Sequence, residues 1–235
     1  MTKEEILTQL QALGSEQTKK VLTKHGAREP FFGVKITDLK PIVKKIKKNH
    51  ELSLELYATG ISDAMYLAGL IADEEKMTEE ILQKWAREAY WYLISEYTVA
   101  WITAESKFGW KLAMEWITSD KENLASCGWS TLASLVAIKP DNELNIFRLG
   151  QLLDRVAKHI HQAQNRVRYT MNGFVIVTGS MVTELTENAM EVAAKIGKVN
   201  VNLGDTACKV PLASDYIQKV INIDRVGRKK KMARC

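Results

Sequence analysis

The chain is predicted to be all-α, a curved α-solenoid of stacked antiparallel helical pairs, with a compact globular all-α fold as the structural alternative. Three observations predict it. Apolar residues recur at helical spacing almost from end to end. Polar capping residues stand just before successive amphipathic periods. Alternating strand patterns are missing apart from Val199-Asn200-Val201-Asn202, which is too short to build a sheet on. About a dozen helices of about 10 to 18 residues joined by short loops stack in pairs and present a concave face, where a single four-helix bundle would not accommodate them. Self-similarity at a fixed period is weak, so the solenoid rests on the number of elements and not on visible repeats.

The elements follow in order. Thr2 caps a first helix opened by Lys3-Glu4-Glu5, which lacks the apolar core of a signal peptide. Ser15, Thr37, Ser62, Thr78, Ser106, Asp120 and Asp141 stand at the following starts. Proline is scarce: Pro30 in a loop, Pro41 in a first turn, Pro140 between helices and Pro211 at a helix start. Residues 1–223 form one helical domain, followed by a basic tail, 224–235, that is too polar to pack.

Composition bounds the function. With 46% hydrophobic and 26% charged residues, 235 residues describe an ordinary globular protein with room for a substantial core. No apolar run approaches the ~20 residues of a membrane-spanning helix, and the expectation is a cytoplasmic monomer. Cys127, Cys208 and Cys235 are odd in number and far apart, which argues against a disulfide framework. His159 and His161 fall on different sides of a helix, so no metal site is expected, and no cofactor is called for. The net charge of +5 is modest, but it is unevenly distributed. Lys35 to Lys48 holds six lysines against Asp38, and Lys219 to Cys235 holds seven cations against Asp224. Local basic patches suggest a defined polyanion footprint.

All six tryptophans lie between Trp85 and Trp129. Two readings stand for that cluster: bulk for the core, or faces for stacking on bases. Leu39, Ile42, Val43 and Ile46 form one side of a helix, and Lys40, Lys44, Lys47 and Lys48 share the other. A lysine stripe without interleaved glutamates forgoes i,i+4 ion pairs. It is either a solvated face or a phosphate contact, with Lys35 at its entry.

Between Gln164 and Val177 the second half is apolar nearly all round, which marks a buried helix. Yet Asn165, Arg168, Tyr169 and Asn172 fall at i, i+3, i+4 and i+7 as one polar stripe beside Arg166, closing an internal network or lining a groove. Gly204 to Pro211 reads as a structured loop entering a helix. Either buried Cys208 anchors it, or Lys209 and the free helix amides take an anion. In the tail, Arg228, Lys229 and Lys230 either contact a polyanion non-specifically or stay solvated.

Several short motifs carry a resemblance. Phe32-Gly33-Val34-Lys35 before a lysine-rich helix, the Tyr90-Trp91 pair, Trp116-Ile117-Thr118-Ser119-Asp120 and Asn165-Arg166-Val167-Arg168 resemble the DNA alkylation repair family of the AlkD type, over roughly residues 20 to 220. The resemblance implies a C-shaped stack of HEAT-like helical pairs whose concave basic face grips duplex DNA. It also implies metal-free hydrolysis of the glycosidic bond of N3- or N7-alkylated purines. A carboxylate beside the sugar would stabilise the oxocarbenium-like transition state, while indole faces hold the cationic base. The family arrangement is Trp-x-x-x-Asp with an arginine from a later helix.

Trp91 matches that tryptophan, but Ser95 occupies the aspartate position, and Glu96 follows about 100° further round a helix. The later arginine aligns near Ser126. Three functions follow as expectations. The first is a DNA-binding relative, gripping duplex, damaged or branched DNA, without the usual base-excision residues. The second is an active glycosylase using Glu96, with Trp91 and Trp129 stacking at the lesion. The third is a helical-repeat scaffold that binds a peptide.

Overall fold

A computed structural model describes residues 1–234; Cys235 lies outside the described residues. Among them are thirteen α-helices and no strand. They are α1 (Lys3–Leu13), α2 (Glu16–Lys24), α3 (Ile36–Ile46), α4 (His50–Tyr57), α5 (Ser62–Ile71), α6 (Glu79–Glu88) and α7 (Ala100–Glu105). After these come α8 (Gly109–Trp116), α9 (Glu122–Ile138), α10 (Ile146–His159), α11 (Asn165–Met181), α12 (Thr186–Ile196) and α13 (Ala213–Asn222). A π-helix over Leu93–Val99 runs directly into α7. None of these helices is long and apolar enough to cross a membrane.

Local chemistry sets the helix starts. Thr2 forms a capping box with Glu5, and the Ser15 and Thr78 side chains accept from the amides of Thr18 and Ile81. Elsewhere the cap moves. The residues ahead of α3, α5, α9 and α10 are Lys35, Ile61, Lys121 and Asn145. Ser106 ends α7, its hydroxyl accepting from the Phe108 amide in the turn before α8. Pro41 sits inside α3, because burial of Leu39 and Ile42 carries the helix through it.

Packing builds two layers. Successive neighbours α3, α5, the π-helix with α7, α9, α11 and α13 form one, and α4, α6, α8, α10 and α12 pack behind it. The first layer is parallel, with its helix starts on one rim. Asp63 at the start of α5 accepts from the Phe32 and Val34 amides just before α3. Trp91 Nε1 donates to Ser62 Oγ at 2.8 Å, Asn123 reaches Ala89 O at 3.1 Å, and Glu122 accepts from the Arg166 amide at 2.8 Å. Gly69 permits close approach of α5 to the π-helix, since a Cβ there would stand 2.4 Å from Thr98 Cγ2.

The tryptophans are mainly core. Trp85 stacks on Tyr57 with centroids 3.9 Å apart, while Trp116 and Trp129 are almost fully buried in successive halves of the stack. The stack curves until its ends meet. Lys24 at the end of α2 pairs with Asp205 at 3.1 Å, and Gly204 (φ +77°) sits so close that a Cβ would come within 2.1 Å of Lys24 O.

The tail was expected not to pack, and the structure corrects this. It crosses the opposite rim of the parallel layer, where the helix C-termini gather. Gly227 N donates to Ser180 O of α11, and Lys230 N to Ala137 O of α9. Lys229 Nζ reaches Val136 O at 2.9 Å and Asp141 at 2.8 Å. Arg234 donates to Gly69 O and Ala72 O and pairs with Glu74 and Glu105. Terminal carbonyls and carboxylates of parallel helices make this rim negative, so cationic side chains are drawn onto it.

Candidate nucleic-acid interface

At the rim of helix starts, beneath the Lys24–Asp205 contact, lies a cavity of about 1060 Å³. Its walls are the end of α2, the segment entering the π-helix, the first turns of α9 and α11, and the loop 202–209. Helix N-termini and the cations Arg28, Arg87 and Lys209 give this wall an anion-seeking character. Arg87 and Lys209 are exposed and have no carboxylate partner among the described residues; Arg28 donates to Tyr90 O.

At the centre Glu96 and Arg166, seventy residues apart, form a bidentate pair. Arg166 Nε lies 2.8 Å from Glu96 Oε1, and Nη2 bonds the other oxygen. Glu96 lies in the π-helix and lines the cavity together with Trp91 and Ser95. The carboxylate is 2% exposed and the guanidinium 16%. Burial pushes the Glu96 carboxyl above the usual range, while Arg166 and a hydrogen bond from Ser126 pull it back. Burial alone would lower the Arg166 value, but bonding to Glu96 raises it, so the guanidinium stays charged. Its carbon sits 4.1 Å from the Tyr92 ring centroid and 4.4 Å from that of Tyr169. The carboxylate is thus neutralised, and these two aromatic faces already hold a cation.

Other expected residues are dispersed. Trp91 lines the cavity but is mostly buried, with its N–H spent on Ser62. Trp129 is 1% exposed, edge-on to Phe174 and with Arg155 over its ring, so the stacking role expected of it has no open face. The polar stripe divides. Asn165 and Tyr169 line the cavity, with Asn165 exchanging two hydrogen bonds with Asn202. Asn172 is buried and donates to Pro211 O ahead of α13, and Arg168 is half-buried outside the cavity. Lys209 lines the cavity, but Cys208 is exposed and does not anchor the loop from within.

Lys35, Lys40, Lys44 and Lys47 are exposed along α3 and do not line the cavity. Lys48 pairs with Glu74 at 2.5 Å and Asp73 at 3.7 Å. Lys229 is spent on the far rim, whereas Arg228 and Lys230 are exposed there. Sequence reading missed Arg28, Arg87, Tyr92 and Tyr97. The run Tyr90-Trp91-Tyr92 was a signal for the aromatic wall; the two arginines stand alone in sequence, and only folding gathers them.

A family model described as DNA alkylation repair enzyme matches residues 6–203. The chain belongs to this family. Two uncharacterised proteins, from Listeria monocytogenes and Listeria innocua, are 37% and 36% identical over 228 residues, covering 94% of this chain and 98% of each relative. A solved structure from a new family of proteins related to the HEAT-like repeat DNA glycosylases, with affinity for branched DNA structures, is similar along the whole of both chains. Its TM-score is 0.92 and its identity 39%. The fold of this DNA alkylation repair family member is therefore HEAT-like. Of the motifs that suggested the family, Tyr90-Trp91 and Asn165-Arg166 line the cavity, while Phe32-Gly33-Val34, bonded to Asp63, and Trp116-Ile117-Thr118-Ser119-Asp120 lie outside it.

Proposed function

We propose that this protein binds branched DNA in the groove beneath the α2–loop contact and leaves the glycosidic bond of cationic alkylpurines intact. The observation that carries the reading is the full-length likeness, at 39% identity, to a protein with affinity for branched DNA structures. Chemistry supports it. Unpaired Arg87 and Lys209 on a rim of helix N-termini suit phosphates. Arg166, fixed between Tyr92 and Tyr169, repels a cationic base from the faces that would otherwise stack on it. With both its oxygens on Arg166, Glu96 is poorly placed to orient water or stabilise an oxocarbenium ion.

A second reading, an alkylpurine glycosylase, is favoured by a carboxylate, Glu96, that lines the same cavity as Trp91. One experiment separates them. Binding to three-way and four-way junctions and to plain duplex is followed against salt, and release of 7-methylguanine and 3-methyladenine is measured for wild type and Glu96→Gln. Steeply salt-dependent junction binding without base release is expected. Release abolished by Glu96→Gln would establish the glycosylase instead, and absence of DNA binding would end both readings.

A further inference from the structure

The groove does not stop at the large cavity. A second depression of about 250 Å³ continues it along the parallel layer, sharing Glu96, Tyr97 and Tyr169 with the first. Its walls include Trp101 and Lys230, and its floor is low because α9 and α11 present small residues there, among them Ser130 and Ser134. Trp101 is only half-buried, in contrast to Trp85, Trp116 and Trp129. It is held edge-on by Tyr97, with centroids 5.3 Å apart, and by Tyr66 at 6.2 Å. Both of those contacts orient the indole.

The polar groups tell the same story. The indole N–H groups of Trp91 and Trp116 are spent on Ser62 and Gln83. No hydrogen bond within the described residues engages Trp101 Nε1, the Tyr97 or Tyr169 hydroxyls, Ser130 Oγ, Ser134 Oγ or Lys230 Nζ. Half-buried Trp101, Tyr97 and Tyr169, with these polar groups unspent, are suited to a flat ligand carrying its own polar edge. A cation at one end suits a ligand that also carries phosphate. The contact between α2 and the loop 202–209 crosses the groove at the neighbouring large cavity.

We infer that the Trp101 slot holds an unpaired nucleobase, so that the groove receives the single-stranded nucleotides at a DNA branch point. The inference rests on the DNA-binding reading and narrows it: the large cavity takes backbone phosphates, and the slot takes the base that follows. The indole face stacks on the ring, Tyr97 stands perpendicular to it beside the base, the serine hydroxyls meet the base edge, and Lys230 contacts the next phosphate. Stacking tolerates any base, so preference is for unpaired structure over sequence.

The test compares three-way junctions with and without two unpaired nucleotides at the branch, alongside plain duplex. The unpaired positions carry 2-aminopurine as a stacking reporter. Wild type is expected to bind the junction with unpaired nucleotides about tenfold tighter than Trp101→Ala does, with 2-aminopurine fluorescence quenched only by wild type. Trp101→Phe restores most of the affinity, and duplex binding is the same for all. Ser134→Met, which raises the floor without touching Trp101, lowers the same affinity and carries the test should Trp101→Ala fail to fold. Equal affinities with no quenching would overturn the slot while leaving groove binding intact. Failure of wild type to bind any of these DNAs would overturn the functional reading itself, and the slot with it.

Discussion

At the rim of helix starts, a buried arginine–carboxylate pair faces an open cavity; at the rim of helix ends, Arg234 of the covering tail bridges Glu74 and Glu105. The same parallel helices supply both rims, so their peptide dipoles favour anions at the first and cations at the second. At the first rim the chain leaves Arg87 and Lys209 unpaired, and an external anion can complete the site. At the second, cations of the chain itself, Lys229 and Arg234, satisfy the terminal carbonyls and acids. One electrostatic arrangement therefore yields a binding face at one end and a seal at the other. What separates them is whether the chain returns to cover the rim.

The largest expected effect tests the buried pair. Arg166→Ala strands a carboxylate that is 2% exposed and should cost about 3–5 kcal/mol in denaturant unfolding. Replacing both partners, Glu96→Leu with Arg166→Met, should recover most of that loss. A double variant no more stable than Arg166→Ala would show that the pair is not the source of the cost.

Arg234→Ala should cost somewhat less, about 2–3 kcal/mol, because its carboxylates lie nearer water. Its pH dependence sharpens the contrast between rims. Burial would raise the Glu74 carboxyl, but hydrogen bonds from Lys48 and Arg234 hold it below its ordinary value. The Glu74 share of the stabilisation is therefore present above the unfolded-state pKa of about 4.3 and lost as pH falls through the lower folded-state value. The gap in melting temperature between wild type and Arg234→Ala should be full at neutral pH and narrow below about pH 4. A gap that is constant down to pH 2 would remove Glu74 from the account.

Smaller effects concern binding. Arg87→Glu with Lys209→Glu should weaken junction binding and flatten its salt dependence by about two ions' worth, with stability unchanged. Lys40→Glu with Lys44→Glu, outside the cavity, should weaken it less. The reverse order would move the principal DNA contact onto α3.

Much of this architecture was legible. The 3.6-residue periodicity, the Thr2, Ser15 and Thr78 caps and the missing strand patterns read directly as helices, because those signals act within one or two turns. The cavity was legible only in part. Trp91, Asn165, Arg166, Tyr169 and Lys209 were singled out and line it, and Glu96 was singled out with them. Its arginine was sought near Ser126, while the guanidinium that meets it comes from Arg166 on α11. Counting 100° per residue left open whether Glu96 shares the space of Ser95, since a π-helical turn leaves no plain mark in composition.

The sequence by itself determined that this protein is a curved stack of helices with local basic patches, because periodicity, capping and charge density are properties of neighbouring residues. Only the tertiary structure decided which charges remain open. Lys48, Lys229 and Arg166 are as cationic in sequence as Lys44, Lys230 and Arg87, yet the first three meet carboxylates 26, 88 and 70 residues away. Whether a cation is free for a phosphate depends on which acids folding brings within about 4 Å, and that is set by how the helices stack.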